Sequence, residues 1–249
     1  MPMFNVCIIT GIVLSISIFL HKEQESIERD EMDSILATIG IAIPGSFLGA
    51  FLFNKILFAE DSGISLKLLV EYQGMTFLGG FVGGVLIFVL AHRCIFEKRG
   101  LLMKHLNVLA PYLVLAQSFG RLGCLCAGCC YGKPTSLILG VRFVKGTPAY
   151  NHYGSQKIFP IQLLECFCLL LILFTIYFIS LQYKFIAYLF LYGSVRFLLE
   201  FLRGDNRGDF VVKYLSPSQC ICLIMIFIAL VSIIWLTNNQ KGRRKLENG

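Results

Sequence analysis

Long apolar runs, each close to the width of a membrane, alternate along the chain with short polar punctuation. Seven of them recur, at Met3–Leu20, Ile35–Phe53, Met75–Ala91, Leu106–Leu125, Leu163–Leu181, Phe185–Leu202 and Cys220–Leu236. About 20 apolar residues carry a helix across the hydrocarbon core. The runs are continuous, whereas strands of a membrane barrel alternate apolar and polar positions over about 10 residues. The pattern predicts an all-α, polytopic membrane helix bundle of about seven transmembrane helices. The fourth run is the least uniform, because Gln117, Ser118 and Arg121 interrupt it. The first has no Lys or Arg in Met1–Val6 and no small-residue cleavage pattern in His21–Asp33, so it reads as a retained span.

Composition sharpens this picture. Hydrophobic residues make up 56% and charged residues 15%, against about 25% charged in a soluble domain, and the mean hydropathy is +0.73. A soluble globule with so few charges could not cover its surface, and disordered, collagen-like and disulfide-scaffold chains are excluded as well. The net charge of +7 forms no basic stripe interleaved with exposed aromatics, so nucleic acid is not an expected partner. Dense Lys/Arg clusters at 93–104 and 241–245 favour the inner side. The expected protein is a multi-pass cell-membrane protein with its N-terminus outside and its C-terminus cytoplasmic. Residues 132–160 are too polar for lipid, with Pro134, Pro148, Asn151 and Lys157 among them. They are expected as an outer arm between spans four and five, with a short strand near Val141–Phe143, within a single domain covering 1–249. The acidic run Glu23–Asp33 reads as a solvated loop.

Function is sought where polar groups are forced into apolar surroundings. In the sixth run, steps of four, four and three put Tyr192, Arg196, Glu200 and Arg203 on one helix face. Counted from Phe185, Arg196 lies roughly 16 Å into the span, about half of the ~30 Å core. A charge at that depth costs at least ~2.5 kcal/mol and normally faces a bundle interior or polar cavity. A self-neutralising Arg196–Glu200 pair explains two of these residues and leaves Tyr192 and Arg203 without a reason to share the face. Arg121, at the end of the fourth run, adds a guanidinium expected on the same side. Guanidiniums converging on a membrane-embedded pocket suit an anion. In a bilayer the abundant anion is a lipid phosphate, which Arg grips with parallel hydrogen bonds.

Two further patterns each carry two readings. Gly79 with Gly83, Gly80 with Gly84, and Gly45 with Gly49 are small-xxx-small pairs that allow close helix packing. The bare backbone at Gly79 and Gly80 equally leaves room for a lipid head group. The C-x-C-x-x-C-C cluster of Cys124, Cys126, Cys129 and Cys130 suits packing, or a disulfide or reactive thiol near the outer surface. Zinc sites usually add a second ligand pair in a separate loop, and none is present, so neither metal nor cofactor is expected.

Several of these stretches together resemble the prolipoprotein diacylglyceryl transferase family, from about Gln73 to the last span. Gly74–Gly80 resembles its Gly-Met-Ser-Phe-His-Gly-Gly stretch, and Gly120-Arg121-Leu122-Gly123 the start of its Gly-Arg-x-Gly-Asn signature. Pro160–Glu165 is similar to its Pro-(Ser/Thr)-Gln-Leu-Tyr-Glu segment, and Tyr192–Arg203 to its Tyr-Gly-x-x-Arg-x-x-x-Glu-x-x-Arg helix. Ser216–Gln219 resembles the polar lead into its last span. The family's His is Leu78 here, its two Asn are Cys124 and Ala127, and its Glu is Cys129, as in a divergent Gly-Cys-Cys-Tyr-Gly branch.

The resemblance implies transfer of a diacylglyceryl group from phosphatidylglycerol to the lipobox cysteine of a bacterial prolipoprotein, a step of lipoprotein biosynthesis. It implies catalytic roles for Arg121, Arg196, Tyr192 and Glu200, and substrate contacts from Arg203, Gln162, Glu165, Gly79 and Gly80. Membrane lipids and the prolipoprotein are the implied partners. With Leu78 in place of His, no base for the thiol is evident. Loop His152 carries no sign of facing the site, and Glu165 is a weak candidate. A related transferase with another acceptor, a membrane thiol–disulfide protein and a non-catalytic lipid-binding relative are the alternatives.

Overall fold

The computed structural model describes residues 2–57, 77–96, 100–205 and 215–247. Its described residues form eight α-helices: α1 (Pro2–Glu23), α2 (Arg29–Leu57), α3 (Phe77–Ile95), α4 (Leu101–Ala127), α5 (Pro148–Tyr153), α6 (Ile161–Phe178), α7 (Lys184–Leu199) and α8 (Pro217–Glu247). All but the short α5 belong to seven spans long and apolar enough to cross a membrane. A polytopic helical membrane protein is therefore what the apolar pattern encodes. Residues 74–76, the expected lead into the third span, lie outside the described residues.

The chain gathers into two compact units. The first comprises Met1–His21, Leu106–Asn206 and Gln219–Gly249. Within it α4 runs unbroken through Gln117, Ser118 and Arg121, because each polar side chain finds a partner inside protein. The Tyr188 hydroxyl donates to Gln117 Oε1 at 2.9 Å, and the Ser118 hydroxyl turns back to the Leu115 carbonyl at 2.7 Å. Helix α1 lies so close to α4 that a Cβ on Gly11 would fall 2.5 Å from Phe119 Cβ. The segment between α4 and α6 packs around Tyr131, Phe143, Ala149 and Ile158. The strand expected near Val141–Phe143 does not extend among the described residues: Val141 pairs with Ile158 as an isolated bridge. Phe143 then turns into that small core, and Thr147 caps α5.

The second unit comprises Lys22–His105 and Arg207–Ser218. Helices α2 and α3 meet along the glycine stripe. A Cβ on Gly49 would lie 2.7 Å from the Gly79 carbonyl, and the Ser46 hydroxyl donates to the Gly80 carbonyl at 2.7 Å. The solvated loop expected over Glu23–Asp33 is shorter than its charge suggested. Asp30 and Glu31 form the first turn of α2, where carboxylates complement the positive end of the helix dipole. Glu31 also pairs with Lys104 at 2.9 Å and with His105 Nε2 at 2.6 Å. His105 in turn shares a 2.9 Å hydrogen bond with buried His92.

Candidate functional site

In the first unit three helices direct their charged residues together. Arg121 comes from the C-terminal part of α4, Glu165 from near the start of α6, and Arg196 from the last turn of α7. The α-helix of the sixth span stops at Leu199, Glu200–Leu202 tighten into a 3₁₀ turn, and Arg203 is extended. The face predicted from spacing survives this change, because the acidic partner joins its members.

The result is a chain of alternating charges. Arg121 Nη2 lies 2.9 Å from Glu165 Oε1, which is also 3.8 Å from Arg196 Nε. Arg196 Nη2 pairs with Glu200 Oε2 at 2.7 Å, and the same oxygen lies 3.9 Å from Arg203 Nε. Arg203 then grips Asp205 with both Nε and Nη2, at 2.9 and 2.8 Å. Tyr192 is fully buried under the chain. Its hydroxyl donates to Glu165 Oε1 at 3.1 Å and accepts from Arg121 Nη2 at 3.3 Å.

Three guanidiniums and three carboxylates balance, so burial of the group as a whole is affordable where burial of any one charge is not. The balance is uneven in hydrogen bonds. Arg196 Nε and Nη1 and Arg203 Nη1 are buried and have no hydrogen-bond partner among the described residues. Unsatisfied charged donors are costly inside protein. These three N–H groups leave hydrogen-bonding capacity unused within an otherwise charge-balanced cluster.

The cysteine-rich turn abuts this chain. Gly128 and Cys130 both adopt positive φ, 64° and 57°, folding the chain back on the end of α4. The Cys129 amide donates to the Cys124 carbonyl at 3.1 Å, and Gln162 Nε2 donates to the Cys129 carbonyl at 2.7 Å. The turn is stitched to the sixth span by Lys133 N–H to the Leu202 carbonyl and Gly204 N–H to the Tyr131 carbonyl. The Cys124, Cys129 and Cys130 sulfurs lie within 4.8 Å of one another, a group that could hold a metal ion. Exposed Cys126 stands apart from it, beside Cys7. All ten cysteines are thiols rather than disulfides. Hydrogen bonds from the Cys124 and Cys129 thiols, with help from Arg203 and Arg121, hold the Cys130 thiol well below the ordinary thiol range. Burial pushes the Asp205 carboxyl up to about 6, against the downward pull of Arg203.

Of the residues singled out by sequence, Arg121, Tyr192, Glu165, Arg196, Glu200 and Arg203 are joined by these contacts, and Gln162 holds the neighbouring cysteine turn through the Cys129 carbonyl. Gly79 and Gly80 belong to the second unit, where their contacts with α2 are those of helix packing. Leu78 is buried there too. Asp205, the bidentate partner of Arg203, is not among the residues singled out by sequence; an acid two positions beyond the Arg that follows the sixth span is the signal for it. His152 bonds the Tyr131 hydroxyl at 3.0 Å and stacks on Tyr153 in the arm.

Known proteins resemble the chain over nearly its full length. The model of the family described as prolipoprotein diacylglyceryl transferase matches residues 1–235. A Clostridium tetani protein named phosphatidylglycerol–prolipoprotein diacylglyceryl transferase is 33% identical over 225 residues, 88% of this chain and 86% of its own. A Clostridium perfringens protein named phosphatidylglycerol–prolipoprotein diacylglyceryl transferase 2 is 30% identical over 244 residues, covering 94% and 90%. A Dehalococcoides mccartyi protein of the same name is 28% identical over 219 residues, covering 86% and 81%.

Proposed function

The chain belongs to the prolipoprotein diacylglyceryl transferase family, and we propose that it moves the diacylglyceryl group of phosphatidylglycerol to the lipobox cysteine thiol of a prolipoprotein. The observation that carries this reading is the set of buried, unpartnered N–H groups on Arg196 and Arg203. A phosphodiester supplies the acceptor oxygens they lack.

The substrate thiol releases its proton to water, its thiolate favoured by the surrounding guanidiniums. The sulfur attacks the glyceryl carbon that bears the phosphate ester. A carbon–sulfur thioether bond forms as the carbon–oxygen bond breaks, and the electron pair leaves on glycerol phosphate. Negative charge therefore grows on the phosphate in the transition state. Fixed donors in a low-dielectric site are worth most at such a point. Arg196 and Arg203 are assigned the phosphate oxygens. Glu165, tied to Arg121 and Tyr192, holds Arg196 from one side, and Glu200 holds it from the other. Gln162 positions the cysteine turn. Gly79 and Gly80 enter the reading as the close-approach surface of α2 and α3. Lys and Arg clusters at 93–104 and 241–245 support an orientation with the N-terminus outside and the C-terminus in the cytoplasm. The arm at 132–160 and the arginine site then face the outer side.

The test is a transfer assay with purified protein, phosphatidylglycerol and a lipobox peptide, read by mass spectrometry. The expected result is a diacylglyceryl adduct on the peptide thiol together with free glycerol phosphate. Bound phosphatidylglycerol without an adduct would point to another acceptor and overturn the assignment of the peptide.

A further inference from the structure

We propose that Cys124, Cys129 and Cys130 form a three-sulfur site for a soft cation, and that copper(I) is the ion that fits it. Their sulfurs lie within 4.8 Å of one another. Around a trigonal ion with metal–sulfur bonds of about 2.3 Å, sulfurs stand about 4 Å apart, so small side-chain rotations close the site.

The backbone is shaped to make this cluster. Two residues of positive φ within three positions, Gly128 and Cys130, reverse the chain at the end of α4. At Gly128 a side chain is excluded on space as well, since a Cβ would fall 2.6 Å from Thr147 Cβ. Cys130 is not glycine, and a left-handed conformation there is sparsely populated and costs energy. Cysteines that merely filled space would need no such turn. Gln162 from α6 and the Cys124 carbonyl fix Cys129 on its two sides. Three separate pieces of chain therefore hold the sulfurs in register.

The donor set selects the ion. Calcium and magnesium want oxygen ligands. Structural zinc takes four nitrogen or sulfur ligands, and the described group offers three sulfurs with no histidine or carboxylate among them. Thiolate softness suits copper(I) as well as zinc and iron–sulfur clusters, and a three-sulfur set without a fourth ligand favours copper(I) among them. Cys126, exposed and beside Cys7, falls outside the trio.

The site stands on its own geometry and does not depend on the transferase reading. Its test uses neither lipid donor nor peptide substrate. Full-length protein, reduced under anaerobic conditions in phosphatidylcholine nanodiscs, is titrated with copper(I) buffered by a competing chromogenic chelator. Retained copper is counted by elemental mass spectrometry, and its ligands are read by X-ray absorption. One copper(I) per chain with three sulfur neighbours is expected. Affinity should fall at least tenfold in Cys129→Ser and in Cys130→Ser, and stay within twofold in Cys126→Ser. Each variant is first checked for monodisperse elution, and Cys129→Ala serves where Cys129→Ser does not fold. Failure to retain copper overturns the site. So does coordination by two sulfurs, or equal retention by the Cys129 and Cys130 variants.

Discussion

The two units of the chain hold polar clusters of opposite character, one partly exposed to solvent through Lys104 and one largely buried. In the second unit Glu31, Lys104, His105 and His92 close on one another, through contacts of 2.9, 2.6 and 2.9 Å. Among the described residues this cluster contains no buried side-chain atom that lacks a hydrogen bond. In the first unit Arg121, Glu165, Arg196, Glu200, Arg203 and Asp205 balance in charge, yet donors on Arg196 and Arg203 are left over. A closed cluster returns its cost as structure. An open one leaves donor capacity unused, and that spare capacity is what the proposed phosphate contact draws on.

The largest effect that separates the two belongs to Arg196. Arg196→Ala removes the unspent donors of that residue and takes the close partner from Glu200, and turnover should fall on the order of 10³-fold. The protein should still insert, as an accessibility assay of its termini would show. Next comes Glu165→Gln, which weakens the tie to Arg121 and Arg196 while keeping the shape. Turnover should fall roughly 10²-fold, with a lower melting temperature, since one partner of a buried ion pair has lost its charge. Full activity in that variant would dissolve the distinction between open and closed clusters.

In the closed cluster the sign reverses. His105→Ala should cost about 1–3 kcal/mol of stability by stranding His92 and Glu31, read as a shift in thermal unfolding. Turnover per folded molecule should stay within about twofold of wild type if the cluster serves structure alone.

The smallest effect concerns pH. The Asp205 carboxyl is raised from 3.8 to about 6 in the folded chain. Between roughly pH 4 and 6 the folded chain therefore holds a proton that the unfolded chain has released. This residue's contribution makes the fold less stable as pH rises through that window, and it is constant above it. Asp205→Asn should flatten that slope in melting temperature against pH. Its transfer activity should lose the inflection near 6 that release of Arg203 from a protonated Asp205 produces.

What the sequence made legible follows from cost. Seven apolar runs announce themselves because nothing else crosses a bilayer so simply, and charges inside them are conspicuous because they are expensive. Tyr192, Arg196, Glu200 and Arg203 were readable from spacing for that reason. The role of Glu165 was not, because its partners Arg121 and Arg196 lie on other helices and only packing joins them. The carboxylates that open α2 look solvated in the sequence, while the positive end of the helix favours them. Cys126 parts from Cys124 because two helical positions stand about 200° apart, but the return of Cys129 and Cys130 to Cys124 depends on positive φ at Gly128 and Cys130, and a cysteine gives no local sign that it will adopt one.

Native mass spectrometry of detergent-released protein tests the anion site most directly, by comparing retention of phosphatidylglycerol with that of uncharged diacylglycerol. Wild-type protein should retain phosphatidylglycerol in strong preference, and Arg196→Ala should lose that preference while keeping its fold. Equal retention of the two lipids by the wild type, or an undiminished preference in Arg196→Ala, would contradict the assignment of those unspent donors to a lipid phosphate.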